Sequence, residues 1–368
     1  MPKLRMVELS DIMGDLPDVR TFTPISDPGK RVDDLFLCAL GFEERCLTLP
    51  RLLRTGGYRS RRAVYFEYAT NTGDNDKNQP ELLADLRAIS SGVTPLEVDI
   101  PNLGNRLRDL VEPIAVPSSK GPSRITIDIS AVANRLLVMC LKVLLEYDVN
   151  LVILYSEAAT YHPTKEEYEK DPEKWRDDAV LGMEIGVSDI YTSPEFAGYH
   201  LDPLPDAVIL FPTFKAERSK AVISAVDPSL LTNPGGKLIW VLGLPHLEEN
   251  SWRLEALRDI NRLAPPMQQY SVSTFDYRDT LPVLESVYRK ISDTHKLTLS
   301  PLGSKMQALG VALFCYLRPD TRVMFAVPKE YNARQWSGGC RATWRIDFGS
   351  LSELRALLDR VGTLWIED

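Results

Sequence analysis

Three consecutive residues carry the sharpest chemical signal in this sequence. Gly303, Ser304 and Lys305 open an apolar stretch, MQALGVALFCYL, with the composition of a buried helix. A helix start leaves backbone N–H groups without intrahelical partners and carries the positive end of the helix dipole. A hydroxyl and an ammonium placed there suit a phosphate or another anion. The same residues also have a plain structural use: a glycine to turn, a serine to cap and a lysine in solvent. The fingerprints GxxxxGK[ST] and GxGxxG are absent, which disfavours a Walker-type nucleotide loop and NAD or FAD.

A degenerate counterpart lies in ITIDISAVANR, residues 125–135, where Asp128, Ser130, Asn134 and Arg135 stand between an apolar run and a helix-like run. Two more turns, Gly41-Phe42-Glu43-Glu44-Arg45 and Thr213-Phe214-Lys215-Ala216-Glu217-Arg218, each place an aromatic and an arginine at a helix start. Phe42, Arg45, Phe214 and Arg218 are therefore candidate ligand contacts beside Ser130, Asn134 and Arg135. The alternatives are a helix cap for Ser130, a surface role for Arg135, and ion pairs of Arg45 with Glu43 and of Arg218 with Glu217. Asp128, Glu43, Glu44, Glu157 and Glu217 are the acids and bases that an enzyme would draw on. No recurring carboxylate pair assigns a catalytic residue. His162, His200, His246 and His295 are widely spaced, and the five cysteines form no CxxC, so neither a metal site nor a cofactor is expected.

These turns require strands that end where they begin. The first half reads as strands Asp34–Leu40, Ala63–Tyr68, Pro95–Ile100, Ile125–Ile129 and Asn150–Tyr155, separated by helical stretches. The second half repeats the pattern with Asp206–Phe211, Lys237–Leu242, Gln269–Thr274, Lys296–Leu299 and Arg322–Val327. Leu299 falls where Ile127 fell, an offset of 172 (299 − 127). Strands alternating with helices across short turns predict parallel βαβ units. The expected fold is α/β: two tandem Rossmann-like, doubly wound domains arising from internal duplication. Their bounds are 31–157 and 206–330, with an N-terminal arm at 1–30 and a helical, turn-rich insert at 158–205. In that insert Trp175, Tyr191, Phe196 and Tyr199 favour packing over a loose linker. Residues 331–368 are expected to form a strand and a helix packed on the second domain. In such sheets ligands bind beyond the carboxyl ends of the strands, where strand order reverses. All four turns above lie there.

The chain has 368 residues, 44% hydrophobic and 26% charged, enough for two globular domains. A net charge of −8 argues against broad nucleic-acid binding, while leaving room for a local basic crevice. No apolar run reaches the ~18–20 residues of a membrane span; the longest, around Leu136–Leu145, is broken by Lys142. The N-terminal MPKLRMVELSDIMGDLP has no signal-peptide core, so a cytoplasmic location with reduced thiols is expected.

At Gly303-Ser304-Lys305 the chain resembles the CARF and SAVED families of cyclic-oligonucleotide sensors. LSPLGSKMQALGVAL matches the family turn D-[LI]-[ST]-x-G-[ST]-K, with Ser300 at the Asp position. IDISAVANRLLVM keeps Asp128 and Ser130 without the Gly-Ser/Thr-Lys, and GFEER and TFKAER depart from the family's hydroxyl-rich first loop. At the level of fold the resemblance spans residues 33–330. It implies a nucleotide second messenger held in a crevice between two CARF-like halves, by Ser304 and Lys305 on one side and Ser130 and Asn134 on the other. It also implies a sensor or adaptor subunit of a bacterial antiviral defence system, since no effector motif is legible in the chain. The effector would be a separate nuclease, protease or ATPase. Two other readings stay open. One is an enzyme acting on a nucleotide or sugar-phosphate, of ring-nuclease or glycosyltransferase type. The other is a catalytically inactive Rossmannoid scaffold partnering an ATPase or nuclease.

Overall fold

The computed structural model describes residues 3–23, 32–98, 102–116, 121–176, 184–198, 203–235, 237–263, 267–332 and 336–367. The chain divides into two compact α/β units. Residues 1–136, 142–161 and 336–368 form the first; residues 137–141 and 162–335 form the second.

Numbering strands along the chain, the first unit holds β1 (Lys3–Met6), β2 (Arg20–Thr21), β3 (Val32–Ala39), β4 (Arg59–Glu67), β5 (Val93–Glu97), β6 (Ser123–Asp128), β7 (Val149–Glu157) and β8 (Thr160–Tyr161). The second holds β9 (Glu184–Ala197), β10 (Asp206–Phe211), β11 (Leu238–Leu244), β12 (Gln268–Ser273), β13 (Lys296–Pro301) and β14 (Arg322–Tyr331). The chain then returns to the first unit as β15 (Ser337–Gly338), β16 (Ala342–Ser350) and β17 (Leu364–Glu367).

The first sheet has the order β2-β16-β7-β6-β3-β4-β5. β3, β4, β5, β6 and β7 are parallel. The central strands are apolar on both faces: from Leu35 to Ala39 every residue of β3 is buried, as helix-covered parallel strands require. Strand order reverses between β3 and β6, so the carboxyl ends of those two strands flank the crevice position. Across the opposite ends, Asp33 accepts from Tyr58 Oη (2.7 Å), Thr126 Oγ1 (2.6 Å) and Arg124 Nε (3.0 Å).

The second sheet has the order β12-β11-β10-β13-β14-β9, parallel except for β9, which runs antiparallel to β14. Its reversal falls between β10 and β13. At the far ends of these strands, Arg322 donates to Asp206 Oδ1 (3.0 Å) and Thr298 Oγ1 (2.7 Å). Helix Lys305–Leu317 follows β13 and is buried from Met306 to Cys315.

The structure refines the expected domain bounds. Beyond β14, the described residues 336–367 belong to the first unit and not to the second, on which 331–368 are expected to pack. β16 instead pairs antiparallel with β7 from Glu157 to Asn150, because the outer edge of β7 is open and Ile346 and Phe348 supply buried side chains. Arg355 of helix Leu351–Asp359 secures this return by donating to the Leu145 and Tyr147 carbonyls, both at 2.8 Å. The second unit is thus inserted into the first rather than following it. The segment 158–205, expected as an insert that packs, supplies in β9 the outer strand of the second sheet. Within it Tyr168 and Arg176 bond Asp259 of helix Trp252–Ile260. Phe196 is buried, Trp175 donates to the Glu167 carbonyl (3.3 Å), and Tyr199 lies outside the described residues. The N-terminal arm, where described, is structured: β1 pairs with β17, β2 with β16, and Leu9, Ile12 and Leu16 are buried. The expected strand Pro95–Ile100 starts earlier, at Val93, and residues 99–100 lie outside the described set.

Among the described residues, no helix is long and apolar enough to cross a membrane. No group of three or more His, Cys, Asp or Glu among them is placed to hold a metal.

Candidate functional site

The Gly303-Ser304-Lys305 turn stands at the reversal of the second sheet, directly after β13. Ser304 is the N-cap of the 13-residue helix Lys305–Leu317, and its hydroxyl accepts from Gln307 N (3.2 Å). Gln307 answers through Oε1, which accepts from Ser304 N (2.9 Å), completing a capping box. Gln307 is 2% exposed, and its Nε2 is buried with no hydrogen-bond partner. A Cβ on Gly303 would overlap Gln307 Oε1, and one on Gly243, near the end of β11, would lie 3.3 Å from Nε2. Glycine is therefore needed at 303 to seat this amide, whatever else the turn does. Ser300, at the position corresponding to Asp128, is fully buried and donates to the Met324 carbonyl (2.8 Å). Lys305 is half-buried in the first helical turn.

The loop after β10 runs beside this turn, since Phe211 pairs with Pro301. It brings Lys215, which is buried, and Arg218. Phe214 lies beneath Arg253, whose guanidinium carbon is 4.3 Å from the ring centre, with Trp252 at 6.4 Å. Arg218 donates through Nε and Nη2 to the Ala326 carbonyl of β14 (3.0 and 2.8 Å).

In the first unit the corresponding arginine behaves alike. Arg45 Nη1 donates to the Ser156 carbonyl at the end of β7 (3.2 Å). Each arginine thus ties the first helix of its sheet to the fifth parallel strand. These carbonyl contacts give their recurrence a structural cause. Arg45 additionally forms a two-pronged pair with Glu43, Nε and Nη2 each at 3.0 Å, with both side chains more than nine-tenths buried. Burial alone would lower the Arg45 pKa; the adjacent Glu43 carboxylate more than offsets it and keeps the guanidinium charged.

Around this pair lies a polar network that the sequence did not disclose. Ser337 Oγ donates to Glu43, Tyr155 and Tyr161 share a hydroxyl contact at 3.0 Å, and Trp344 Nε1 donates to Glu157 (3.0 Å). Ser130, fully buried, donates to Asp128 and accepts from Ser156 N (2.8 Å), so it braces its own turn and does not cap a helix. Burial pushes the Cys46 thiol up to about 12. The two turns that flank the crevice position are in contact. A Cβ on Gly41 would meet Ala131 Cβ at 3.0 Å, Asn78 donates to the Gly41 carbonyl (2.8 Å), and Tyr68 Oη bridges the Ala131 carbonyl and Ala133 N (3.2 and 2.8 Å). Phe42, Asn134 and Arg135 are half-buried on these turns.

The structure therefore gathers Gly303, Ser304, Lys305 and the loop bearing Phe214 and Arg218 at one sheet end. It gathers Phe42, Arg45, Ser130, Asn134 and Arg135 at the other. The S-x-x-Q spacing of Ser304 and Gln307 was the available signal for the capping box. No family model matches the chain, and no curated protein does. Among solved structures it is similar to the cytoplasmic domain of a prokaryotic cation chloride cotransporter, at 10% identity over 82% of this chain and 98% of that one, with a TM-score of 0.25. It is also similar to a functionally unknown protein from Pseudomonas aeruginosa PAO1, at 8% identity over 89% of this chain and 98% of that one, with a TM-score of 0.21.

Proposed function

We propose that the chain is a duplicated Rossmann-like protein that binds an anionic nucleotide second messenger, a cyclic oligonucleotide, at the carboxyl ends of β10 and β13. It acts as a cytoplasmic sensor or adaptor of an antiviral defence system through a separate effector protein. The duplication is supported by strand register. Leu35 pairs with Ile125 and Ala207 with Leu297, each 90 positions apart (125 − 35 and 297 − 207). In each sheet the second and third strands lie on one side of the first strand, and the fourth and fifth on the other.

The observation that carries the ligand class is electrostatic. At the reversal of the second sheet, beyond the paired strand ends Phe211 and Pro301, Lys305 opens a 13-residue helix and Lys215 is the N-cap of helix Ala216–Val226, and each helix dipole adds positive potential. Ser304 and Gly303 are engaged in shaping the turn, so the reading assigns contact with the anion to the lysines and to backbone N–H groups. Calorimetry with a panel of cyclic di-, tri- and tetranucleotides tests it. Wild type should bind one of them, and Lys305→Ala should weaken that binding about tenfold or more, as expected for a lost charge-assisted contact. No binding by wild type to any member, or equal binding by Lys305→Ala, would overturn the reading.

A further inference from the structure

Apart from helix Asn134–Leu144, whose residues 137–141 group with the second unit, the chain leaves the first unit after Tyr161 and re-enters it at Trp336. These two passages are side by side: Tyr161 pairs with Ser337 and Thr160 with Gly338 in the two-stranded ribbon β8–β15. The ribbon is short, and Ala159 N adds one bond to the Gly338 carbonyl (3.1 Å). Arg341 N, just beyond, donates to the Glu157 carbonyl (2.8 Å).

Both strands of this ribbon hold the same arginine through one intermediary each. On one side Ser337 donates to Glu43, which is paired with Arg45. On the other, Tyr161 shares its hydroxyl with Tyr155, whose ring lies 6.0 Å from the Arg45 guanidinium carbon. Arg45 in turn is fixed to the end of β7. A ribbon of two residue pairs has few contacts of its own; it continues the β7–β16 ladder, and Tyr161 Oη also accepts from Ala158 N (3.3 Å), so these polar anchors are what its own two strands add.

We propose that β8–β15 is a clasp on the two chain passages, and that the buried Glu43–Arg45 pair at the carboxyl end of the first sheet locks it. The clasp opens locally when Glu43 or Tyr155 lets go, while the sheet below stays folded. A change at the end of β3 is thereby reported at both passages to the second unit. This device stands apart from the nucleotide reading and does not need it.

The test uses the full chain and Cys340, three residues beyond the clasp. Cys340 is partly exposed, whereas Cys38, Cys46, Cys140 and Cys315 are buried. Ser337→Ala and Tyr161→Phe each remove one anchor hydroxyl and leave the charged pair in place. The two together should raise the rate of Cys340 alkylation by N-ethylmaleimide, and of amide exchange at Ala159 and Arg341, by about tenfold or more. Exchange in β6 should not change. Unaltered rates at Cys340 and these amides overturn the proposal. So does an equal acceleration in β6, which would make the anchors ordinary contributors to global stability.

Discussion

Replacing Gly303 by alanine tests whether the sharpest motif is held by packing or by ligand approach. The added Cβ would overlap Gln307 Oε1 and lie 3.4 Å from its Cδ. Gln307 is 2% exposed and pressed against Gly243, so its amide has little room to retreat. The displaced amide would leave Ser304 N without its acceptor and break the box that caps the helix. An unpaired buried donor costs about 1–3 kcal/mol, and a lost cap typically about 1 kcal/mol. Against this, Gly303 is not among the glycines of left-handed φ, so alanine is conformationally allowed there. It should gain about 0.4–1 kcal/mol by restricting the unfolded chain. The net expectation is a loss of about 1–2 kcal/mol in wild type. In a Gln307→Ala background the obstruction is gone, and Gly303→Ala should become neutral or slightly stabilising. Amide exchange at Gln307 and Ala308, which bond Ser304 Oγ and its carbonyl at 3.2 and 3.0 Å, reads this cycle locally. Exchange should accelerate about tenfold in the single variant, with the acceleration abolished in the double. An equal effect of Gly303→Ala in both backgrounds would refute the argument.

Truncating the chain after residue 335 should strip β16 from β7 and β17 from β1, so β7 should lose exchange protection; a β7 that stays protected would contradict the inserted arrangement. Arg218→Ala should cost the second unit up to about 1.5–3 kcal/mol, the range for a hydrogen bond made by a charged group, measured as a lower urea midpoint; an unchanged midpoint would free this arginine for another role. Burial raises the Glu285 pKa, but hydrogen bonds from Arg318 and Arg289 outweigh that and hold the carboxyl below its ordinary value of 4.5. With the folded pKa depressed, its stabilisation is full above about pH 4.5 and is lost as pH falls through the folded pKa. The Tm difference between wild type and Glu285→Gln should therefore be present at pH 7 and shrink below pH 4.5; a constant difference would show that the charge is not responsible.

The strands and helices that place the turns were legible because they are driven by local signals. Continuous apolar runs such as DLFLCAL and DAVILF are covered on both faces, and the turns between them are short. The offset of 172 read from Ile127 and Leu299 recurs in the registers, since Ile127 pairs with Leu37 and Leu299 with Ile209. What was not legible depended on distant partners. Nothing local says that Ala342–Ser350 bonds β7 across almost two hundred residues, or that Glu184–Ala197 seeks the edge of β14. The contacts of Ser337 with Glu43 and of Trp344 with Glu157 belong to the same class. The ion pair expected of Arg45 with Glu43 is present, but the carbonyl contacts that Arg45 and Arg218 make with the fifth strands were not legible either. Recurrence in both halves marks a shared constraint, and a strand-end carbonyl supplies one as well as a ligand does.

The two sheet ends differ most where their structural roles coincide. With the offset of 172, Glu43 corresponds to Lys215 and Asp128 to Ser300. Through the carbonyls that the two arginines bind, Glu157 corresponds to Val327. Each exchange removes a carboxylate from the second sheet end or adds a cation to it. In the first unit, Glu43 and Asp128 are held by Arg45, Ser337 and Ser130, and Gly41 is pressed toward Ala131. The charged groups of that sheet end are thus engaged with one another. A buried ion pair is costly to form and far costlier to break on one side, about 3–5 kcal/mol. An incoming anion would have to displace Glu43 from Arg45 against that cost and against the remaining carboxylates. The second sheet end, where the anion is proposed to bind, carries Lys215, Lys305 and a helix start, and no carboxylate at the three corresponding positions. On the proposed reading, these substitutions would confine binding of a negatively charged ligand to one sheet end, and they are the physical content of the difference between the two.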